Sequence, residues 1–339
     1  MTSRNRFRQV TGLLVLAPLL ATVQATESPA AASPVARVED FELTDLGTLP
    51  GGCCSFAEGI NDRGEVVGSS DRGNTISHAF LWREGEMTDL GTLGGLTSRA
   101  MDINNRSEVV GASNPAGSFD LHAFLWRDGE MTDLGTLGGS TSQAEGVNDA
   151  GEVVGYSTTS FGETHAFLWR DGVMSDLGTT AGSTVSLAYA INNRRQVVGQ
   201  SGQTAVVWRR GVATALALPS GGTYGAAQGN NDRGAIAGYT GYPSGLSINR
   251  ATLWRRGTAI DLGTLGGANS MAFDVNNRGQ VVGWANTADG GTAAFVWQDG
   301  VMTNLGAPGW NGTEARAINK RGQVAGNGQH PSFRAVVWQ

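Results

Sequence analysis

The sequence predicts an all-β fold: a seven-bladed β-propeller of four-stranded blades, closed by the N-terminal strand completing the last blade. Three observations predict it. A Trp ending a short apolar run recurs at 82, 126, 169, 208, 254, 297 and 338, with spacings of 44, 43, 39, 46, 43 and 41. A period near 43 residues is the one expected of four-stranded blades. Within each unit four strand-like runs follow one another, and none has helical periodicity. Finally, the last unit stops at "AVVWQ" (335–339), while "FELTDLGTL" (41–49) supplies the fourth run it lacks. Closure of that kind removes the exposed strand edges that an open array would leave.

The unit from 98 to 134 shows the elements in order. "RAMDIN" is turned by "NRS" into "EVVGAS", and a variable loop leads to "HAFLW". In that run His122, Phe124 and Trp126 face one way and Ala123 and Leu125 the other. "RDG" is a tight hairpin turn into "EMTDLG". We place "SxAxxIN" innermost, then "xVVGxS", then "HAFLW", with "MTDLG" outermost. Small residues such as Ala100, Ala144, Ala190 and Ala272 then line a crowded channel wall. "GTLGGxTS" carries the chain to the next inner strand, and it shares one face of the ring with the loops after "VVG".

The domains follow. Residues 1–25 read as a secretory signal peptide: Arg4, Arg6 and Arg8 precede the apolar "VTGLLVLAPLLAT", and small residues stand at Val23 and Ala25. Residues 26–40 are an Ala/Ser/Pro-rich linker, and 41–339 the seven-repeat propeller. The expected location is secreted, extracellular or periplasmic, with no membrane insertion after cleavage. The chain carries 24 basic and 30 acidic residues, and removing three signal arginines leaves 21 − 30 = −9. With one lysine, Lys320, and no basic run, the mature chain is unsuited to nucleic acid. A monomer is expected.

Recurrent residues read as structural. Asn61, Asn104, Asn148, Asn192, Asn231, Asn276 and Asn319 occupy one position in all seven units, usually with Gly three residues on. An Asn side chain bonds backbone two residues ahead in such turns. A second column, Gly68, Gly111, Gly155, Gly199, Gly238, Gly283 and Gly326, implies close backbone approach, taken here to be to the neighbouring blade. Asp45, Asp89, Asp133, Asp176 and Asp261 precede Gly-rich loops whose N–H groups a carboxylate accepts. His78, His122 and His165 would lie roughly 15 Å apart on adjacent blades, too far to share a metal. No metal and no cofactor is assigned.

The "HAF" triplets at 78, 122 and 165, within "LW..G.M.DLGTLGG" and "IN..G.VVG", resemble the HAF-repeat family of probable extracellular proteins, over all of 41–339. The resemblance implies location and repeat type but no catalytic residues.

Departures from the repeat are free to serve a ligand. The loop-rich face gathers Tyr156, Phe161, Tyr224, Tyr239, Tyr242, Trp284 and Trp310. Tyr156, Tyr224, Tyr239, Tyr242, Trp284 and Trp310 are the candidate ligand-binding residues, for a glycan or protein. Cys53 and Cys54 stand in the first loop. They form a vicinal disulfide, or remain thiols, or bridge two chains; adjacent Cα atoms lie closer than ordinary disulfides prefer. The expected role is a binding or scaffold module rather than an enzyme. The alternative is a polysaccharide lyase or glycoside hydrolase acting at the channel mouth. Its available groups would be Asp71, Asp120, Glu163, Asp289, Glu314 and His330, and spacing singles out no pair among them.

Overall fold

A computed structural model describes residues 41–339 except 74–75 and 244–247; the expected signal segment and linker lie outside the described residues. Seven four-stranded antiparallel sheets form a ring. Blades 1 to 6 span 55–89, 94–133, 138–176, 186–215, 224–261 and 266–304. Blade 7 takes three strands from 311–338 and its outermost strand, Leu43–Asp45, from the other end of the chain. Leu43 pairs with Trp338 and Asp45 with Val336, so the ring closes as the sequence predicts.

The first strands of neighbouring blades touch one another, so "SxAxxIN" is innermost. Seven apolar clusters hold the described ring, each made by two adjacent blades. Phe80, Phe124, Phe167 and Phe295 are fully buried in them, and the Trp column flanks them. Trp208, Trp254 and Trp338 also donate their indole N–H to a carbonyl of the preceding blade's exit segment, at Leu177, Ala217 and Gly306. The "REG" and "RDG" hairpins turn with positive φ at both central residues, as at Glu84 (53°) and Gly85 (91°), the backbone that matches strand twist.

Polar latches repeat at the joints. Ser98 Oγ accepts from Ala79 N of the preceding blade at 2.9 Å, and Ser55 Oγ does the same for Ala335 N at the closure, at 3.0 Å. At the turn end the Asn column forms a complete ring. Each Nδ2 donates to the carbonyl of the next Asn, from Asn61 to Asn104 round to Asn319 and back to Asn61, at 2.8–3.4 Å. Each Oδ1 meanwhile accepts the turn N–H two residues on, as Arg63 N on Asn61 at 3.0 Å. The column is therefore a turn former and an interblade clamp at once.

Two expectations need correction. A Cβ on Gly68 would lie 1.8 Å from the carbonyl oxygen of Phe56, and one on Gly111 2.0 Å from that of Arg99. The close approach is thus to the inner strand of the same blade. Its cause is a β-bulge in every inner strand, between Ala57 and Gly59 in blade 1 and between Ala100 and Asp102 in blade 2. The bulge turns a carbonyl onto the glycine. Likewise Ala100, Ala144 and Ala272 are fully buried in the interblade clusters and do not line the channel.

Candidate functional site at the loop side of the channel

The bulge decides what the channel presents. Its extra residue escapes strand pairing, and its side chain is re-aimed. Around the ring these residues are Glu58, Met101, Glu145, Tyr189, Gln228, Phe273 and Arg316, all half-buried beside fully buried neighbours. The chemistry of this column is lopsided. Arg316 Nε lies 3.4 Å from Glu58 Oε2 of the next blade and 3.2 Å from Glu314 Oε1, and its guanidinium stands 4.6 Å over the ring of Phe273. Arg99 donates to Gln143, which donates to Glu145. Desolvation pushes Glu145 up to about 7 and also raises Glu58, against which the Arg316 charge works. Desolvation, with the Glu145 charge added, pushes Tyr156 up to about 12 and raises Tyr189 as well. Both phenols therefore stay neutral donors.

Above the bulge, toward the loops, the second strands add Tyr156, Tyr239 and Trp284 at equivalent registers, each opposite an inner-strand residue: Gln143, Ala226 and Met271. Tyrosines 156, 189 and 239 thus belong to consecutive blades 3, 4 and 5, across the ring from the Glu58–Arg316–Glu314 group of blades 7 and 1. On that charged side a cleft of ≈ 350 Å³ opens between Phe56, Thr313, Glu314, Asn327, Gln329 and Phe333. Phe56 and Phe333 lie 5.4 Å apart, tilted by 32°, and Phe333 is 46% exposed. Asn327 donates to Glu314 Oε1 at 3.2 Å and, accepting from Ala57 N at 2.7 Å, pins blade 7 to blade 1.

The six predicted aromatics thus divide. Tyr156, Tyr239 and Trp284 stand in the second-strand column beside the channel. Tyr224, Tyr242 and Trp310 lie against glycines of their own blades. The Tyr224 ring lies against Gly241 and its hydroxyl bonds Asn249 Oδ1 at 3.0 Å. Tyr242 sits over Gly221, and Trp310 stacks on His330 at 5.3 Å against Gly328. Glycine offers each of these rings a flat seat, and all six aromatics remain partly exposed. Phe161 is 89% exposed at a loop tip, with Phe119 at 90% on the adjacent blade.

The acids weighed for catalysis scatter. Asp71 meets Cys53, Glu163 lies 3.6 Å from His165, Asp289 bonds Thr287, and Asp120 lies exposed on blade 2. The three histidines pair with the fourth-strand aspartates of their own blades, Asp89, Asp133 and Asp176, at 2.9, 2.7 and 2.7 Å. Those aspartates also accept the loop N–H, as from Gly91 at 2.8 Å. Cys53 and Cys54 are free thiols with their sulfurs 3.1 Å apart. Hydrogen bonds to Asp71 and Cys54 push the Cys53 thiol up to about 12.

Sequence reasoning missed Glu58, Glu145, Tyr189 and Arg316. Their signal was present in part: the fourth place of "SxAxxIN" varies from blade to blade, as the second also does.

No family model and no curated protein sequence matches the chain. Solved propeller structures do. A streptogramin B lyase superposes with TM-score 0.56 at 10% identity, over 89% of this chain and 98% of that one. The β-propeller domain of the Trilobed protease from Pyrococcus furiosus gives 0.59 at 8%, over 85% and 96%. A puromycin-hydrolyzing peptidase of Mycobacterium tuberculosis gives 0.52 at 13%, over 91% and 53%. At such identities the likeness shows the fold, and the chain is a β-propeller.

Proposed function

We propose that this protein is a secreted HAF-repeat propeller that binds a glycan at the loop-side mouth of its channel. The observation that carries the reading is the cleft between blades 7 and 1, where the Phe56–Phe333 pair adjoins Glu314, Asn327 and Gln329. A sugar ring has apolar C–H faces and a rim of hydroxyls. Aromatic faces and planar amide or carboxylate groups answer those two surfaces, and a concave site with few polar groups is the usual ligand location. Tyr156 and Tyr189 would add neutral donors across the mouth.

The test is calorimetry of the purified protein against neutral and acidic oligosaccharides. Phe333→Ala removes an exposed ring and leaves the blade joints intact. It should weaken binding at least about tenfold, as truncating an aromatic hot spot does, with the melting temperature unchanged. Equal affinity of this variant and the parent for every binding glycan would refute the site.

A second reading, cleavage of a polysaccharide at the same mouth, is favoured by Glu145, which titrates at about 7 and is suited to general acid work. Product analysis on the calorimetry samples decides it: shortened glycan that disappears in Glu145→Gln would make the protein an enzyme.

A further inference from the structure

The first loop departs from the repeat in a chemically specific way. At the register where the inner strand meets the end of the second strand, other blades carry a neutral pair. Thr97 donates to Asn114 at 2.5 Å, Thr141 and Thr158 lie 3.3 Å apart, and Asn269 N donates to Asn286 at 3.2 Å. Since Ser55 pairs with Ser70, the same register in blade 1 holds Cys54 opposite Asp71. Cys53 precedes it, in a loop one residue longer through Pro50. The sulfurs are 3.1 Å apart, and Cys53 Sγ is 3.0 Å from Asp71 Oδ2. Among the described residues these are the three His, Cys, Asp or Glu side chains whose ligand atoms converge, within 4.8 Å of one another.

The loop is anchored. Ser332 Oγ donates to Cys53 O at 2.9 Å, and Arg334 donates to the same carbonyl from blade 7. Cys54 O accepts from Ser70 Oγ and Asp71 N, both at 3.1 Å. Cys53 is exposed and Cys54 half-buried, so an ion has access.

We infer that Cys53, Cys54 and Asp71 form a binding site for one thiophilic divalent cation of the zinc class, with water completing the coordination. Two thiolates select zinc or cadmium over calcium and magnesium. Metal–sulfur bonds of ~2.3 Å at tetrahedral angles put the sulfurs ~3.8 Å apart, a small opening from 3.1 Å. Binding expels two thiol protons and leaves two metal–sulfur bonds and one metal–carboxylate bond. No electrons move. Three protein ligands with water in the fourth position make an open site, unlike the closed four-ligand sites of structural zinc.

The test uses the full chain, reduced, desalted and held without oxygen. It is titrated with Cd²⁺, following the thiolate-to-cadmium charge-transfer band, and with Zn²⁺ against a chromophoric chelator. We expect saturation at one ion per chain, no competition from Ca²⁺, loss of the band in Cys54→Ser, and at least about tenfold weaker binding in Asp71→Asn. Absence of a band overturns the site. So does saturation at one ion per two chains, which makes the pair a bridge between molecules. Unchanged affinity in Asp71→Asn removes the third ligand.

Discussion

Asn104→Ala should cost about 1–3 kcal/mol of stability. Asn104 is 4% exposed and makes four hydrogen bonds. Its Oδ1 accepts from Arg106 N at 2.9 Å and Glu108 N at 3.0 Å; its Nδ2 donates to Glu108 Oε2 at 2.5 Å and to Asn148 O at 2.9 Å. Truncation leaves the Arg106 N–H near water, which replaces the lost bond. The Asn148 carbonyl keeps its bond from Gly151 N at 2.9 Å, so the Glu108 N–H alone stays buried and unpaired, at a cost of about 1–3 kcal/mol. Glu108 keeps Arg106 and Arg127. The loss is a large part of the ~5–15 kcal/mol that holds a domain folded. Guanidinium unfolding followed by tryptophan fluorescence measures it as a shifted midpoint. Asn104→Asp keeps the acceptor but sets a second carboxylate against Glu108. It should also destabilise at neutral pH and recover in acid, when the new carboxyl takes a proton. An Ala variant within about 0.5 kcal/mol of the parent, the usual range of a neutral surface change, would refute the clamp.

Glu145→Gln tests the channel. Burial raises the folded-state pKa to about 7, above the ordinary glutamate value, so the folded protein binds the proton more tightly than the unfolded chain. The stability due to that proton is present near pH 4 and is lost as pH rises through about 7; the variant should match the parent in acid and be more stable above about pH 7, by melting temperature. Ser55→Ala removes a fully buried hydroxyl that accepts from Ala335 N and donates to Gly47 O at 2.6 Å. It should cost about 1–3 kcal/mol, read as a denaturant midpoint, because it acts at the joint that closes the ring. Glycan titration should saturate at one site per chain; several equivalent sites would mean the repeat, not its departures, does the binding.

The ring was legible because its joints reuse the same residues. The Trp, Asn and Gly columns recur in all seven units and the Ser and Asp columns in five, and periodicity exposes them. The velcro closure was legible because residues 41–49 match a strand missing at 335–339. The candidate site was less legible than the ring. Tyr156, Tyr239 and Trp284 are departures on a strand whose register the repeat fixes. Tyr224, Tyr242 and Trp310 look identical in sequence, and only the position of Gly241, Gly221 and Gly328 beneath them shows that they are seated. The bulge was invisible for a different reason. One unpaired residue leaves the spacing of the repeat intact, yet it moves Glu58, Glu145 and Arg316 from a strand face into the channel.

That displacement explains how a nearly sevenfold backbone carries a site with no symmetry. Every residue that joins blades is constrained to repeat, since each joint must bury the same apolar set and satisfy the same backbone groups. Recognition must then come from columns the joints do not use, and the bulge column is the one that all blades share. Its order is Glu, Met, Glu, Tyr, Gln, Phe, Arg. A lectin-like ring built for seven copies of one sugar would repeat this column as faithfully as it repeats the Asn clamp. Here the charged group lies on blades 7 and 1 and the tyrosines on blades 3 to 5, so the mouth offers two unlike walls. A single ligand spanning both walls uses the asymmetry; seven small ligands would each meet a different surface.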